Sequence, residues 1–175
     1  MEQVILVDEQ NNPIGTADKE TVHTTDTPLH RAFSLFLFND KKQLLVTKRA
    51  SSKKTFAGIW TNSVCGHVSP NEKTLDAVKR RVHQELQIHG VDIYEVAPYR
   101  YRFADKNGIV ENEICPIFIG HTNENPTLEK SEVEEYKWVD WNDFLETIKK
   151  NPGYYSPWSE EEALILQRTN PELLQ

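Results

Sequence analysis

The sequence is short of the residues that mark several protein classes. It holds two cysteines in 175 residues, Cys65 and Cys115, too few for a disulfide framework. It has seven glycines and one methionine, with no low-complexity tract and no internal repeat. No run approaches the ~20 apolar residues of a membrane-spanning helix; the best, Ala32 to Phe38, is far too short. The N-terminus, MEQVILVDEQ, lacks the basic and apolar stretches of a secretory signal. Both cysteines are therefore expected as thiols in a reducing cytoplasm. An excess of positive charge is also missing: 20 basic against 27 acidic side chains give −7. Residues 1–120 are balanced at 15 of each, so the whole excess lies in residues 121–175, with 5 basic and 12 acidic. A nucleic-acid or membrane-surface partner is not expected from such a chain.

Apolar residues make up 38%, including seven Phe, six Tyr and four Trp. A chain of this length buries roughly 70% of its unfolded surface, and a single domain over residues 1–175, monomeric, is expected. Val4 to Val7 reads as a strand. Ser34 to Phe38 and Gln43 to Lys48 read as a hairpin around Asn39-Asp40-Lys41-Lys42. Leu75, Val78, Val82 and Leu86 form one apolar stripe of a helix. Ser69-Pro70-Asn71-Glu72 is its expected start, and Arg81 and Glu85 share a face away from the stripe. Tyr99 to Phe103 and Val110 to Gly120 read as strands about an Asp105–Gly108 turn. Tyr136 to Val139 reads as a strand, Trp141 to Lys149 as a helix, and a last helix runs from about Pro157 to Gln167. Strands outnumber helices and alternate with them irregularly. The expected class is α/β (α+β), a mixed β-sheet sandwich flanked by helices.

Several polar residues sit where chemistry is possible. His23 and His30 flank a loop, His67 follows Cys65-Gly66, and Glu111 and Glu113 project from one strand face. Three imidazoles and two carboxylates suit a divalent ion such as Zn²⁺ or Mn²⁺. Without a CxxC or HExxH motif, spacing alone favours surface histidines and a solvated acidic strand face over a metal site. His83, His89 and His121 have no partner pattern. Lys48, Arg49, Lys53 and Lys54 form a basic cluster sized for one or two phosphates. Cys65 precedes a glycine that permits close backbone approach. Cys115, two past Glu113, is a competing thiol under strict strand alternation.

Residues 66–88 bring Gly66, Glu72, Arg80 and Glu85 into the spacing of the loop–helix–loop signature of the Nudix superfamily, which they resemble. The match is partial. Arg81 and Gln84 replace two glutamates of the acidic cluster, and Gln87 replaces its closing glycine, which would ease a left-handed helix end. One remaining carboxylate, Glu85, holds at most one Mg²⁺ well. Binding a diphosphate is thus favoured over cutting it, which weakens the competing reading as a Nudix pyrophosphohydrolase of a nucleoside diphosphate derivative.

From about Val4 to Trp158 the chain also resembles one Nudix branch, the metal-dependent (type I) isopentenyl-diphosphate isomerases. The likeness is carried by His23-Thr-x-Asp-Thr-x-Leu-His30, Leu45-Val-Thr-Lys-Arg49 and Trp60-Thr-Asn-Ser-Val-Cys-Gly-His67. Tyr99-Arg-Tyr-Arg102, Gly108-Ile-Val-Glu-Asn-Glu-Ile-Cys-Pro116 and Tyr155-Ser-Pro-Trp158 extend it. The resemblance implies a Nudix-like fold and an enzyme acting on a small isoprenoid diphosphate. It implies His23, His30, His67, Glu111 and Glu113 as ligands of one Mn²⁺ or Zn²⁺ (or Mg²⁺), and Glu85 as ligand of a Mg²⁺ that meets the diphosphate. Cys65 and Glu113 would exchange protons with the substrate, and which gives and which takes stays open. Tyr101 would supply a hydroxyl, Trp158 an indole face over the reacting carbons, and Lys19, Arg49, Lys53 and Arg81 the phosphate contacts.

Overall fold

The structure is a computed structural model that describes residues 2–174. Its axis is the strand β3 (His30–Phe38), which contains the expected Ser34–Phe38 run. That stretch is apolar on both faces because both faces are covered. Phe33, Leu35 and Leu37 enter one core, with Ala77, Val78, Val82 and Leu86 of helix α2 (Thr74–Leu86). Phe36 and Phe38 enter the other, with α3 (Trp141–Lys150) and α4 (Pro157–Thr169). Single-residue alternation along one strand thus holds two helical layers on opposite sides of a sheet.

The other strands are β1 (Gln3–Val7), β2 (Pro13–Asp18), β4 (Gln43–Arg49), β5 (Trp60–Thr61), β6 (Val64–His67), β7 (Asp92–Ala97), β8 (Arg100–Ala104), β9 (Val110–Ile114), β10 (Ile117–His121) and β11 (Val133–Asp140). A short helix, α1 (Lys19–Val22), follows β2, and a 3₁₀ turn covers Pro171–Leu174. One edge of β3 pairs in succession with β1, β6 and β4, all antiparallel. The other edge pairs in parallel with β9 and then β10. The hairpin expected between β3 and β4 is present, with Phe38 opposite Leu44.

Several expectations need correction. The single strand expected over Val110 to Gly120 is two, β9 and β10, broken at Cys115-Pro116. Proline has no N–H for the ladder, and Pro116 instead accepts from Ser34 N at 3.1 Å. Helix α2 starts at Thr74, not at Ser69-Pro70; Asn71 has φ +65°, which no right-handed turn accommodates. Leu75 points outward at 36% exposure, while Arg81 and Glu85 are buried. Apolar periodicity marked the buried face, but the charged pair widens it. Gln87 ends α2 in the left-handed region (φ +54°), its N–H bonded to His83 O. Helices α3 and α4 lie where expected. Strands β2 and β7, the short β5 and β6, and helix α1 had no clear periodic signal.

Candidate active site and metal centre

The register across β3 builds the site. Glu113 of β9 stands opposite His30 of β3 on one side and Tyr101 of β8 on the other. On the opposite edge of β3, Ser34 faces Cys65 and Ala32 faces His67 of β6. Directly paired residues share a face, so Tyr101, Glu113, His30, His67 and Cys65 all project to the side covered by α4. The start of that helix is fixed: Ser156 N donates to Trp60 O at 2.8 Å, and the Ser156 and Thr61 hydroxyls meet at 2.7 Å. This places Trp158 over the face, against Tyr101 (ring centroids 5.7 Å, stacked) and Phe56 (5.0 Å, edge-on).

The five expected metal ligands come together. One ligand atom from each of His23, His30, His67, Glu111 and Glu113 lies within 4.8 Å of every other. His23 Nε2 is 3.1 Å from Glu111 Oε2, and His30 Nε2 is 3.3 Å from Glu113 Oε1. Yet both Nε2 atoms are buried without a hydrogen-bond partner, so they approach the carboxylates without the alignment of a bond. His30 Nδ1 lies 2.9 Å from Pro28 O, and a proton there leaves the Nε2 lone pair facing the cluster. Five convergent donors with two orphaned imidazole nitrogens fit a divalent ion of the nitrogen- and oxygen-liking kind.

Electrostatics reflect the crowding. Burial drives His67 down to about 4. For His30, burial acts downward, but the close Glu113 carboxylate outweighs it and the net shift is upward. For Glu113, burial acts upward, and the close His30 with the bonded His67 hold its carboxyl well below the usual range. Tyr101 donates to Glu113 Oε2 at 2.7 Å; burial and that carboxylate push its hydroxyl far up. Burial, with the charge of Glu162, pushes Cys65 up to about 12.

Cys65, His67, Tyr101, Glu111, Glu113 and Trp158 line a cleft together with four cations, Lys19, Arg49, Lys53 and Arg81. Arg81 comes from α2, beside Gly66. A Cβ on Gly66 would stand 3.0 Å from Phe33 Cζ and 3.1 Å from Arg81 Cγ, so glycine is what lets the helix side chain pass. Arg81 is bound to Glu85 Oε1 at 2.5 Å, and Lys19 to Glu2 at 2.7 Å. Arg49 Nη2 donates to Thr55 O at 3.0 Å, and its guanidinium lies 5.6 Å from the Trp158 ring. Glu85 lines an adjoining recess with Lys53, Cys65 and Glu132. Burial pushes the Glu85 carboxyl up, opposed by the Arg81 charge. Arg80 is not in the cleft; it clamps Glu72 at 2.7 and 2.9 Å, so two residues of the Nudix spacing brace the loop before α2. Cys115 is buried with Ala32, Tyr101 and Trp158 rather than lining the cleft.

Five polar residues escaped sequence reasoning. Thr55 donates to Glu111, and Glu132 pairs with Lys53 and Arg81. Ser34, Asn62 and Glu162 form a network behind the thiol. Ser34 Oγ donates to Glu162 Oε2 at 2.7 Å and lies 3.6 Å from Cys65 Sγ, while Asn62 Oδ1 accepts from Sγ at 3.2 Å. Glu162 is four residues after Trp158 and so shares its helix face, a signal that was available. Nothing in the spacing marks Glu132 or Thr55.

Comparison with known proteins agrees with this geometry. The profile of the NUDIX domain matches residues 28–159. Isopentenyl-diphosphate Delta-isomerase of Shigella boydii serotype 18 is 47% identical over 172 residues, 98% of this chain and 92% of that one. The Corynebacterium glutamicum protein of the same name is 45% identical over 181 residues, covering 100% and 93%. In structure, the chain resembles DR0079 of Deinococcus radiodurans (TM-score 0.74, 18% identity, 97% and 99% covered). It also resembles the MutT protein of Methanosarcina mazei Go1 (0.67, 22% identity, 82% and 96% covered). These two share the fold. The chain belongs to the NUDIX domain family and, within it, to the family of isopentenyl-diphosphate Delta-isomerases.

Proposed function

We propose that this protein moves the double bond of isopentenyl diphosphate to give dimethylallyl diphosphate, an intramolecular isomerisation of isoprenoid biosynthesis. One observation carries the reading: a thiol, Cys65, and a carboxyl group, Glu113, line one cleft with the Trp158 indole and four cations. An unactivated alkene is a weak base, and adding a proton to it makes a tertiary carbocation. A 1,3-shift therefore needs one group that gives a proton and another that takes one, with no loose water between. Burial keeps Cys65 as a thiol at neutral pH, while Glu113 is ionised, so the pair holds one proton between two sites. The proton added at one carbon is matched by one removed two carbons away, and the reaction is reversible. Tyr101 orients Glu113 through its hydroxyl. The face of Trp158 stabilises the cationic carbon by ~1–2 kcal/mol or more where water is excluded.

Lys19, Arg49, Lys53 and Arg81 hold the diphosphate. Arg81, standing where the hydrolase box has a glutamate, contacts phosphate directly and favours holding it over cutting it. His23, His30, His67, Glu111 and Glu113 would hold one Mn²⁺, Zn²⁺ or Mg²⁺, and Glu85 a Mg²⁺ that meets the diphosphate. When bound, such ions would supply positive charge that alters the proton affinity of a neighbouring carboxyl group and balances phosphate oxygens. Among the described residues no helix is long and apolar enough to cross a membrane, and both cysteines are free. A monomer in the cytoplasm fits this reading. The test is conversion of isopentenyl diphosphate in D₂O by metal-loaded protein, followed by NMR. Wild type should yield deuterated dimethylallyl diphosphate, and Cys65→Ala should lose at least a hundredfold in rate. No conversion by folded, metal-loaded wild type would sink the reading and favour a screen for diphosphate hydrolysis.

A further inference from the structure

The cations of the cleft meet an anion in the recess that adjoins it, Glu132. Arg81 Nη2 lies 3.0 Å from Glu132 Oε2, and Lys53 Nζ is paired with the same oxygen. Burial acts to raise the Glu132 carboxyl, but the charges of Arg81 and Lys53 prevail and hold it at about 2, so it is ionised at neutral pH. The backbone beneath it is fixed. Glu132 N donates to Glu129 O at 3.0 Å, and Ala50 N donates to Glu132 O at 3.0 Å, so the side chain is the part free to turn. Lys19, Lys53 and Arg81 thus each meet a carboxylate of Glu2, Glu85 or Glu132, while Arg49 is bonded to Thr55. Four cations against three anions leave one positive charge. A bare diphosphate brings several negative charges and has to break the Glu132 pairs to reach Lys53 and Arg81. Like charges forced together repel, which weakens such binding. A diphosphate complexed with Mg²⁺ brings positive charge that the carboxylates of Glu85 and Glu132 can face.

We propose that Glu132 is a specificity residue: its carboxylate occupies the Lys53–Arg81 anion position in the free protein and so excludes bare anions in favour of magnesium-complexed diphosphate. The inference rests on the reading of these cations as the diphosphate site. It is tested by calorimetric titration with inorganic pyrophosphate, in EDTA and in excess Mg²⁺, on four folded proteins. Wild type should bind at least tenfold more tightly with Mg²⁺. Glu132→Gln should bind about tenfold more tightly in EDTA than wild type does, shrinking that ratio. Glu132→Asp, one methylene too short to meet both cations, should move the same way by about threefold, and it carries the test if the Gln variant does not fold. Glu135→Gln removes the same charge from the outer surface, where Glu135 pairs with Lys48 at 2.8 Å, and should behave as wild type. Unchanged or weaker binding in EDTA for the Glu132 variants overturns the proposal. So does an equal gain in Glu135→Gln, which would make the effect one of net charge. Failure of wild type to bind pyrophosphate in either condition overturns the diphosphate reading itself.

Discussion

Glu162 is fully buried, and its Oε1 has no hydrogen-bond partner. Burial, with the charges of Glu113 and Glu161, raises its carboxyl well above the usual range, against the Ser34 bond. Between the unfolded and folded pKa values the native chain holds a proton that the unfolded chain has released. Stability from this residue is therefore present in acid and falls as pH rises. Glu162→Gln keeps the shape and ends that dependence. It should raise Tm by a few degrees at pH 8, on the order of 1 kcal/mol, and by much less at pH 5. A difference that does not grow with pH, read by calorimetry, would mean that Glu162 is ionised in the folded protein. At this scale the sequence was most legible where ligands share a strand face or a short motif. Glu111 and Glu113 were placed together by period-two alternation, and His67 by its motif. Cys115 misled although alternation does put it on that face, because Ala32, Tyr101 and Trp158 bury it away from the cleft.

Elements were legible where one face is apolar. Helix α3 buries Trp141, Phe144, Leu145 and Ile148, and its bounds were read within a residue. Helix α2 was read on its apolar stripe but not on its start, since Ser69 and Glu72 meet in a turn of their own: Ser69 N donates to Glu72 Oε2 at 3.0 Å. Strand β2 has no buried residue and hence no alternation to read. At the other end of α2, Gln87 adopts φ +54° where glycine would be unstrained. A side chain in that region costs about 1–2 kcal/mol, partly offset by the extra entropy glycine loses on folding. Gln87→Gly should thus gain about 0.5–1 kcal/mol in urea unfolding without altering the midpoint slope. A loss of stability would show that the Gln side chain makes contacts that outweigh the strain.

For the molecule as a whole, the mixed sheet between two helical layers followed from counting strands and helices. The pairing order did not, because β3 takes partners from five strands scattered over the chain, and no local signal encodes such distant choices. That arrangement has a consequence for how the protein opens. From Ser34 to Leu37, β3 is bonded along its edges and fully buried on both faces. Its amide protons have no route to deuterated solvent that leaves either core intact. They should be the slowest in the chain to exchange, at the free energy of complete unfolding, while those of β2, joined only to β1, escape by local fraying. If the amides of α2 and of α3 instead reach two different plateaus, the two layers open separately and the chain is two cooperative units. Equal plateaus make β3 the clock of the molecule, its exchange timing the rare moments when the whole chain is exposed to proteases.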